Sequence, residues 1–355
     1  MVSREPALWD GKADERIAEM VAGEKRKAHV WVARRLNYYR RIFAAYLGSG
    51  ESQLTFWHDV PEANPNFRVG DIGEYYQPFV AKADYPGHYD AAGVPMLDYR
   101  GVIGLQYNPI AIAQYGLGNY NLWLRTADPE RRRKFLLIAD WMAGHLERNH
   151  ANLWLWMHKF DWEYRETLKK PWYSALAQGQ GISLLVRAHQ ETGELHYLEV
   201  ARRAFDSFKV GISDGGVTYV DQRGYTWFEE YIVWPPTHIL NGFIWASWGV
   251  YDYALATKDS TARDLFDRAV STLVSALPSF DTGFWSLYEH SGTMLPMLAS
   301  KFYHLLHIAQ LRVMFRLTGN PRFARFADQW ETYRDSSWNR TRALAGKAVF
   351  KLLYY

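Results

Sequence analysis

Thr126-Ala-Asp-Pro-Glu, residues 126–130, closes a long apolar stretch and opens a strongly charged one. The same kind of polar turn returns as Thr192-Gly-Glu-Leu-His, Thr257-Lys-Asp-Ser-Thr and Thr318-Gly-Asn-Pro-Arg, at spacings of 66, 65 and 61 residues. A fixed period of this kind marks a supersecondary unit that buries its apolar face only by stacking on its neighbours. Before the turns, residues 110–124, 182–189, 242–254 and 308–317 are apolar and aromatic all round, which predicts buried helices. After them, 197–208, 262–277 and 322–333 alternate Arg, Asp and Glu with apolar residues at three- and four-residue spacing, which predicts half-solvated helices. Inner and outer layers together predict a mainly α fold: an incomplete α/α toroid, or α/α barrel, of helical hairpins over 105–355.

Residues 1–104 read differently. One or two helices are expected over 12–47, and the basic cluster at 25–41 reads as a solvated helix face. Residues 61–104 are rich in Pro, Gly, Asp and Tyr and read as irregular chain with a β-hairpin. Pieces such as Glu74-Tyr-Tyr-Gln-Pro-Phe-Val carry the alternation.

Composition narrows the function. The 41 basic and 38 acidic side chains leave a formal charge of +3, which gives no footprint for nucleic acid. With no cysteine there is no thiolate metal site and no cysteine nucleophile. No run approaches the roughly 18 apolar residues of a membrane span, and the N-terminus lacks a signal-peptide pattern, so a cytoplasmic location is expected. The 16 Trp and 24 Tyr suit sugar, because aromatic faces stack on pyranose rings while Tyr O–H and Trp N–H bond the hydroxyls.

Polar side chains recur just before or at the start of the inner helices: Asn108, Gln178 and Gln180, His238 and Asn241, then Tyr303, His304 and His307. If the inner helices run parallel, these converge on one mouth, where unpaired N–H groups favour a carboxylate. Two loops lead into the same mouth: Phe228-Glu229-Glu230-Tyr231, and Asp281 through Tyr288. In an extended segment neighbours face opposite ways, so one glutamate can enter a cleft while the other anchors the loop. His304 and His307 stand at i, i+3, but no acidic partner recurs at metal-ligand spacing, so neither metal nor cofactor is expected. Gly-rich phosphate loops and nucleophile elbows are absent from the sequence.

Pro171-Trp-Tyr-Ser-Ala-Leu-Ala-Gln-Gly-Gln-Gly-Ile-Ser, Trp227-Phe-Glu-Glu-Tyr, Leu240-Asn-Gly-Phe, Leu277-Pro-Ser-Phe-Asp-Thr-Gly and Tyr303-His-x-x-His-Ile-x-Gln-Leu occur in that order. Together with Tyr107-Asn-Pro-Ile-Ala-Ile-Ala-Gln-Tyr-Gly, the chain over about 71–333 resembles the D-glucuronyl C5-epimerase family. The resemblance implies catalytic tyrosines at Tyr231, Tyr288 and Tyr303, a catalytic glutamate at Glu230 and a substrate-contacting asparagine at Asn241. It implies a heparosan-like acidic polysaccharide as partner, D-glucuronate to L-iduronate as reaction, and assembly as a homodimer. Two departures stand out. Between the Tyr115 region and Pro171 the chain has a helix and a Trp-rich stretch where animal members carry a β-sandwich with a calcium site, so no calcium is implied. After Tyr288 it reads Glu289-His-Ser where the family has Asp-Leu-Arg, so Ser291 replaces an arginine that meets acid groups, and His290 or an arginine from elsewhere becomes a candidate substitute.

Epimerisation at C5 needs two proton-transfer groups flanking the ring and donors for the carboxylate. Glu230 is expected as base toward glucuronate and Tyr303 as the reprotonating acid, with Tyr231 and Tyr288 donating to the carboxylate. A polysaccharide lyase shares the first half-reaction, and an epimerase on alginate or another uronan shares all of it. A hydrolase would need two carboxylates about 5 to 10 Å apart. A glycan-binding toroid without chemistry is the non-enzymatic alternative.

Overall fold

The computed structural model describes residues 35–37, 39–40, 53–57, 60–290 and 292–354. Most of the helical expectation over 12–47, and Ser291, lie outside them. The four turns are built alike. Helices α1 (Pro109–Thr126), α3 (Ala175–Thr192), α5 (Leu240–Thr257) and α7 (Lys301–Thr318) are each 18 residues long and end on the threonine of the turn. Each threonine hydroxyl donates to the carbonyl four residues back and accepts the N–H two residues on, at 2.7–2.8 Å and 3.1–3.3 Å. The intervening residue, Ala127, Gly193, Lys258 or Gly319, takes a left-handed conformation that closes the helix end. Asp128, Asp259 and Asn320 then cap the next helix through their side chains.

Those next helices form the outer layer: α2 (Pro129–Gly144), α4 (Leu195–Phe205), α6 (Ser260–Ala276) and α8 (Pro321–Asp335). The layers differ as the periodicities predict. α5 is buried without interruption from Leu240 to Ala254, whereas α6 buries Ala262, Leu265, Phe266, Ala269, Thr272, Leu273 and Ala276, half-buries Val270 and Val274 and exposes the rest. The inner helices touch backbone to backbone at α3 and α5. A Cβ on Gly249 would stand 2.1 Å from the Gly179 carbonyl oxygen, so only glycine permits this approach. Toward the far ends of these helices, Arg187 and Asp252 form a fully buried ion pair at 2.6 Å. Arg187 also donates to Gly73 O and Tyr76 to Asp252, which ties the upstream segment to the toroid.

That segment departs from the alternation expected of it. Glu74–Val80 forms no strand; the Tyr75 N–H donates to the Asn121 side chain at 2.7 Å, and Tyr75, Tyr76 and Phe79 pack on Trp245 and Trp248 of α5. Ring burial has won over strand pairing there. The β-structure lies a little later, in a small antiparallel sheet of His88–Tyr89, Pro95–Asp98 and Leu105–Gln106. Residues on both sides of position 104 share one continuous core. The Trp-rich stretch after α2 folds into short hairpins, Glu147–Arg148 with Trp154–Leu155 and Trp162–Glu163 with Thr167–Leu168. A last helix, α9 (Ser337–Tyr354), follows the repeats. No helix among the described residues is long and apolar enough to cross a membrane.

Candidate active site

The inner helices begin around a cavity of about 280 Å³. Asn108, Asn241, Ser300 and Tyr303, all at helix starts, line it together with Glu230, Tyr231 and Tyr288. Asn108 and Ser300 cap α1 and α7 through their side chains, while α5 has no side-chain cap. Glu230 occupies that position instead. A Cβ on Gly242, in the first turn of α5, would stand 2.2 Å from Glu230 Oε2. Glycine there lets the carboxyl group rest against the positive end of the helix.

The paired acids diverge. Strand Thr226–Phe228 pairs with Thr218–Val220 and delivers them. Glu229 turns into the protein, where the His238 backbone N–H donates to it at 3.1 Å and His238 Nδ1 lies 2.6 Å away. Glu230 faces the cavity, with Oε2 buried and unpartnered. Burial, reinforced by the nearby Glu289 carboxyl, pushes Glu230 up to about 8, against a hydrogen bond from Tyr231. Tyr288 is pushed well above the ordinary phenol value by burial and by Glu230, so it stays protonated and able to donate. Its ring meets Tyr303 edge-on at 4.7 Å. Asn241 Oδ1 is a second buried, unpartnered acceptor in the wall.

Six side chains expected at the mouth do not line the cavity. The Gln178 amide is consumed by the Trp156 backbone and Ser174 O, and Gln180 accepts from Gln114 at 3.0 Å inside the barrel. His304 lies between Ser286 Oγ at 2.8 Å and Trp330 O at 2.9 Å, stacked on Trp285, and His307 contacts the same Ser286. Burial pulls His304 down to about 4 and His307 well down, so both are neutral. His290 stacks on Phe280 at 3.9 Å, and His238 stacks on Trp227 while holding Glu229. Gln178, Gln180, His304 and His307 are fully buried behind the mouth, whereas His238 and His290 are half-buried loop residues beside it.

Conversely, sequence reasoning missed much of the far wall. Tyr99, Phe160, Trp162, Tyr164 and Trp172 face the cavity, with Lys82, Lys347 and Lys351. The Tyr164 hydroxyl donates to the buried Glu289 carboxyl group and lies 3.0 Å from Thr237 Oγ1, whose own hydroxyl can donate to it. The tryptophan density of 153–164 was the available signal for the aromatic wall; nothing in the repeat pattern points to lysines on α9. Among the described residues no three His, Asp or Glu side chains gather in a metal-binding group.

A family profile described as "D-glucuronyl C5-epimerase C-terminus" matches residues 148–332. The D-glucuronyl C5-epimerase of Caenorhabditis elegans is 31% identical over 215 residues, 56% of this chain and 34% of that protein. An uncharacterized protein of Methanocaldococcus jannaschii is 28% identical over 195 residues, 54% of this chain and 62% of its own. The chain therefore spans less than two thirds of either relative. A solved structure of unsaturated glucuronyl hydrolase from Bacillus sp. GL1 aligns at 15% identity and a TM-score of 0.43, over 64% of this chain and 62% of that one.

Proposed function

Because this chain belongs to the D-glucuronyl C5-epimerase family through its C-terminal domain, we propose that it is an isomerase acting on uronate residues of an acidic polysaccharide. The specific reaction we propose is conversion of D-glucuronate to L-iduronate within a heparosan-like chain, by a protein that assembles as a homodimer. The observation that carries the reading is Glu230, a buried carboxyl group with an oxygen that has no hydrogen-bond partner, lining one cavity together with Tyr231, Tyr288 and Tyr303.

A carboxyl group raised to about 8 is a stronger base than an ordinary glutamate and is matched to a weakly acidic C–H. In the proposed step the C5–H bond breaks, its proton passes to Glu230, and the electron pair moves into the C6 carboxylate. Tyr288 and Tyr231 donate hydrogen bonds to the oxygens on which the charge accumulates. Tyr303 then gives its proton to C5 from the opposite face. The resulting Tyr303 phenolate and protonated Glu230 return to their starting states by proton exchange with water. Asn241 positions the ring, and the aromatic wall around Trp162 and Trp172 stacks on the polymer. Nothing is oxidised, reduced or released.

Deuterium exchange at C5 of heparosan in D₂O tests the assignment. Glu230→Gln and Tyr303→Phe are each expected to reduce exchange by about 10²-fold or more. Full exchange in both variants would remove these two residues from the mechanism.

A further inference from the structure

The mechanism leaves Lys347, a charged group of the cavity wall, unused. Lys347 lies on α9, beyond the last repeat turn and beyond the residues matched by the family profile. Its ammonium group is 5.0 Å from the centre of the Tyr288 ring, inside the cavity wall. Among the described residues it has no acid within ion-pair distance and no hydrogen bond, and the acid that acts on it is Glu289. Lys82, which lines the same cavity, is by contrast committed: it donates to Phe56 O at 2.6 Å and lies over the Phe56 ring.

Lys347 is half-buried, and its loss of hydration is opposed by attraction to Glu289. Glu289 is engaged by Tyr164, and burial raises both it and Glu230 toward the neutral form. Lys347 is itself pulled down to about 8 by burial. Lys347 thus stands as a cation beside Tyr288, the tyrosine assigned to the substrate carboxylate, with no carboxylate at ion-pair distance among the described residues.

We propose that Lys347 receives the carboxylate of the uronate ring and so makes the site selective for acidic over neutral sugar. This deepens the function proposed above and rests on it for the identity of the sugar. An ammonium ion in that place also favours the charge that reaches the carboxylate when C5 loses its proton. Lys347 comes from a helix outside the repeat, so the acid-recognition group is supplied by a non-repeating element.

The test compares heparosan oligosaccharide with its carboxyl-reduced form by calorimetry, on wild type, Lys347→Met and Lys347→Arg. Methionine keeps the length of the stem and removes the charge; arginine keeps the charge. Wild type and Lys347→Arg are expected to prefer the acidic oligosaccharide by roughly tenfold or more, and Lys347→Met to lose that preference with its melting temperature unchanged. A preference retained in Lys347→Met, or absent in wild type, overturns the proposal. Deuterium exchange by wild type reads the epimerase assignment separately: binding with acid preference but no exchange would leave the lysine site standing and remove the epimerase.

Discussion

Glu230 and Lys347 are displaced toward each other, the carboxyl group raised from 4.5 and the ammonium group lowered from 10.5, each to about 8. The proposed chemistry needs the first anionic and the second cationic. The rate constant kcat/KM is then expected to be a bell centred near pH 8, rising as Glu230 loses its proton and falling as Lys347 does. Lys347→Met should lose the alkaline limb, while a flat profile from about pH 6 to about pH 10 would contradict both assignments. The stability effect of Glu230 has the matching sign. Its folded-state value is raised, so its contribution is fully present below 4.5 and lost as pH rises through about 8. At this scale the sequence was legible where geometry is local. Alternation along an extended strand end separates Glu229 from Glu230, and helix starts place Asn241 and Tyr303. It was misleading for His304, His307, Gln178 and Gln180, because a polar residue early in a buried helix reads the same whether it faces a cavity or a core partner.

The four hairpins show how a weak local signal sums to a fold. Each turn reuses one threonine hydrogen-bond pattern and one left-handed residue, and the sequence carries both as a recurring Thr followed by Gly, Ala or Lys. What the pattern does not carry is how closely the inner helices approach. Gly179 and Gly249 lie on facing sides of α3 and α5, in a helix interior where glycine costs about 1 kcal/mol relative to alanine. Gly249→Ala would place a methyl group 2.1 Å from a backbone oxygen, which no rotamer change relieves. We expect a loss of about 1–3 kcal/mol or more, read as a lowered urea midpoint at unchanged m-value. A variant as stable as wild type would mean that α3 and α5 are further apart than described. The alternation at Glu74–Val80 yields no strand for a related reason: tertiary burial of Tyr75 and Tyr76 against α5 outweighs it, and the β-structure of 61–104 forms later in that segment.

Over the whole molecule, the repeats supply the floor of the site and the non-repeating parts supply its walls. The segment around Tyr99, the Trp162–Glu163 hairpin and α9 converge from 99, 164 and 347 on residues of the inner helices. Periodicity exposed the first contribution, but long-range closure leaves no period to read, so Tyr164 and Lys347 emerge only from the folded chain. The central claim is that this closed mouth exchanges the C5 proton of a uronate without breaking the polymer. NMR of heparosan incubated with the wild-type protein in D₂O addresses it directly. The account predicts deuterium at C5 and the appearance of L-iduronate, with chain length unchanged and no ultraviolet-absorbing product. No exchange on heparosan, or an unsaturated product from cleaved chains, would contradict it.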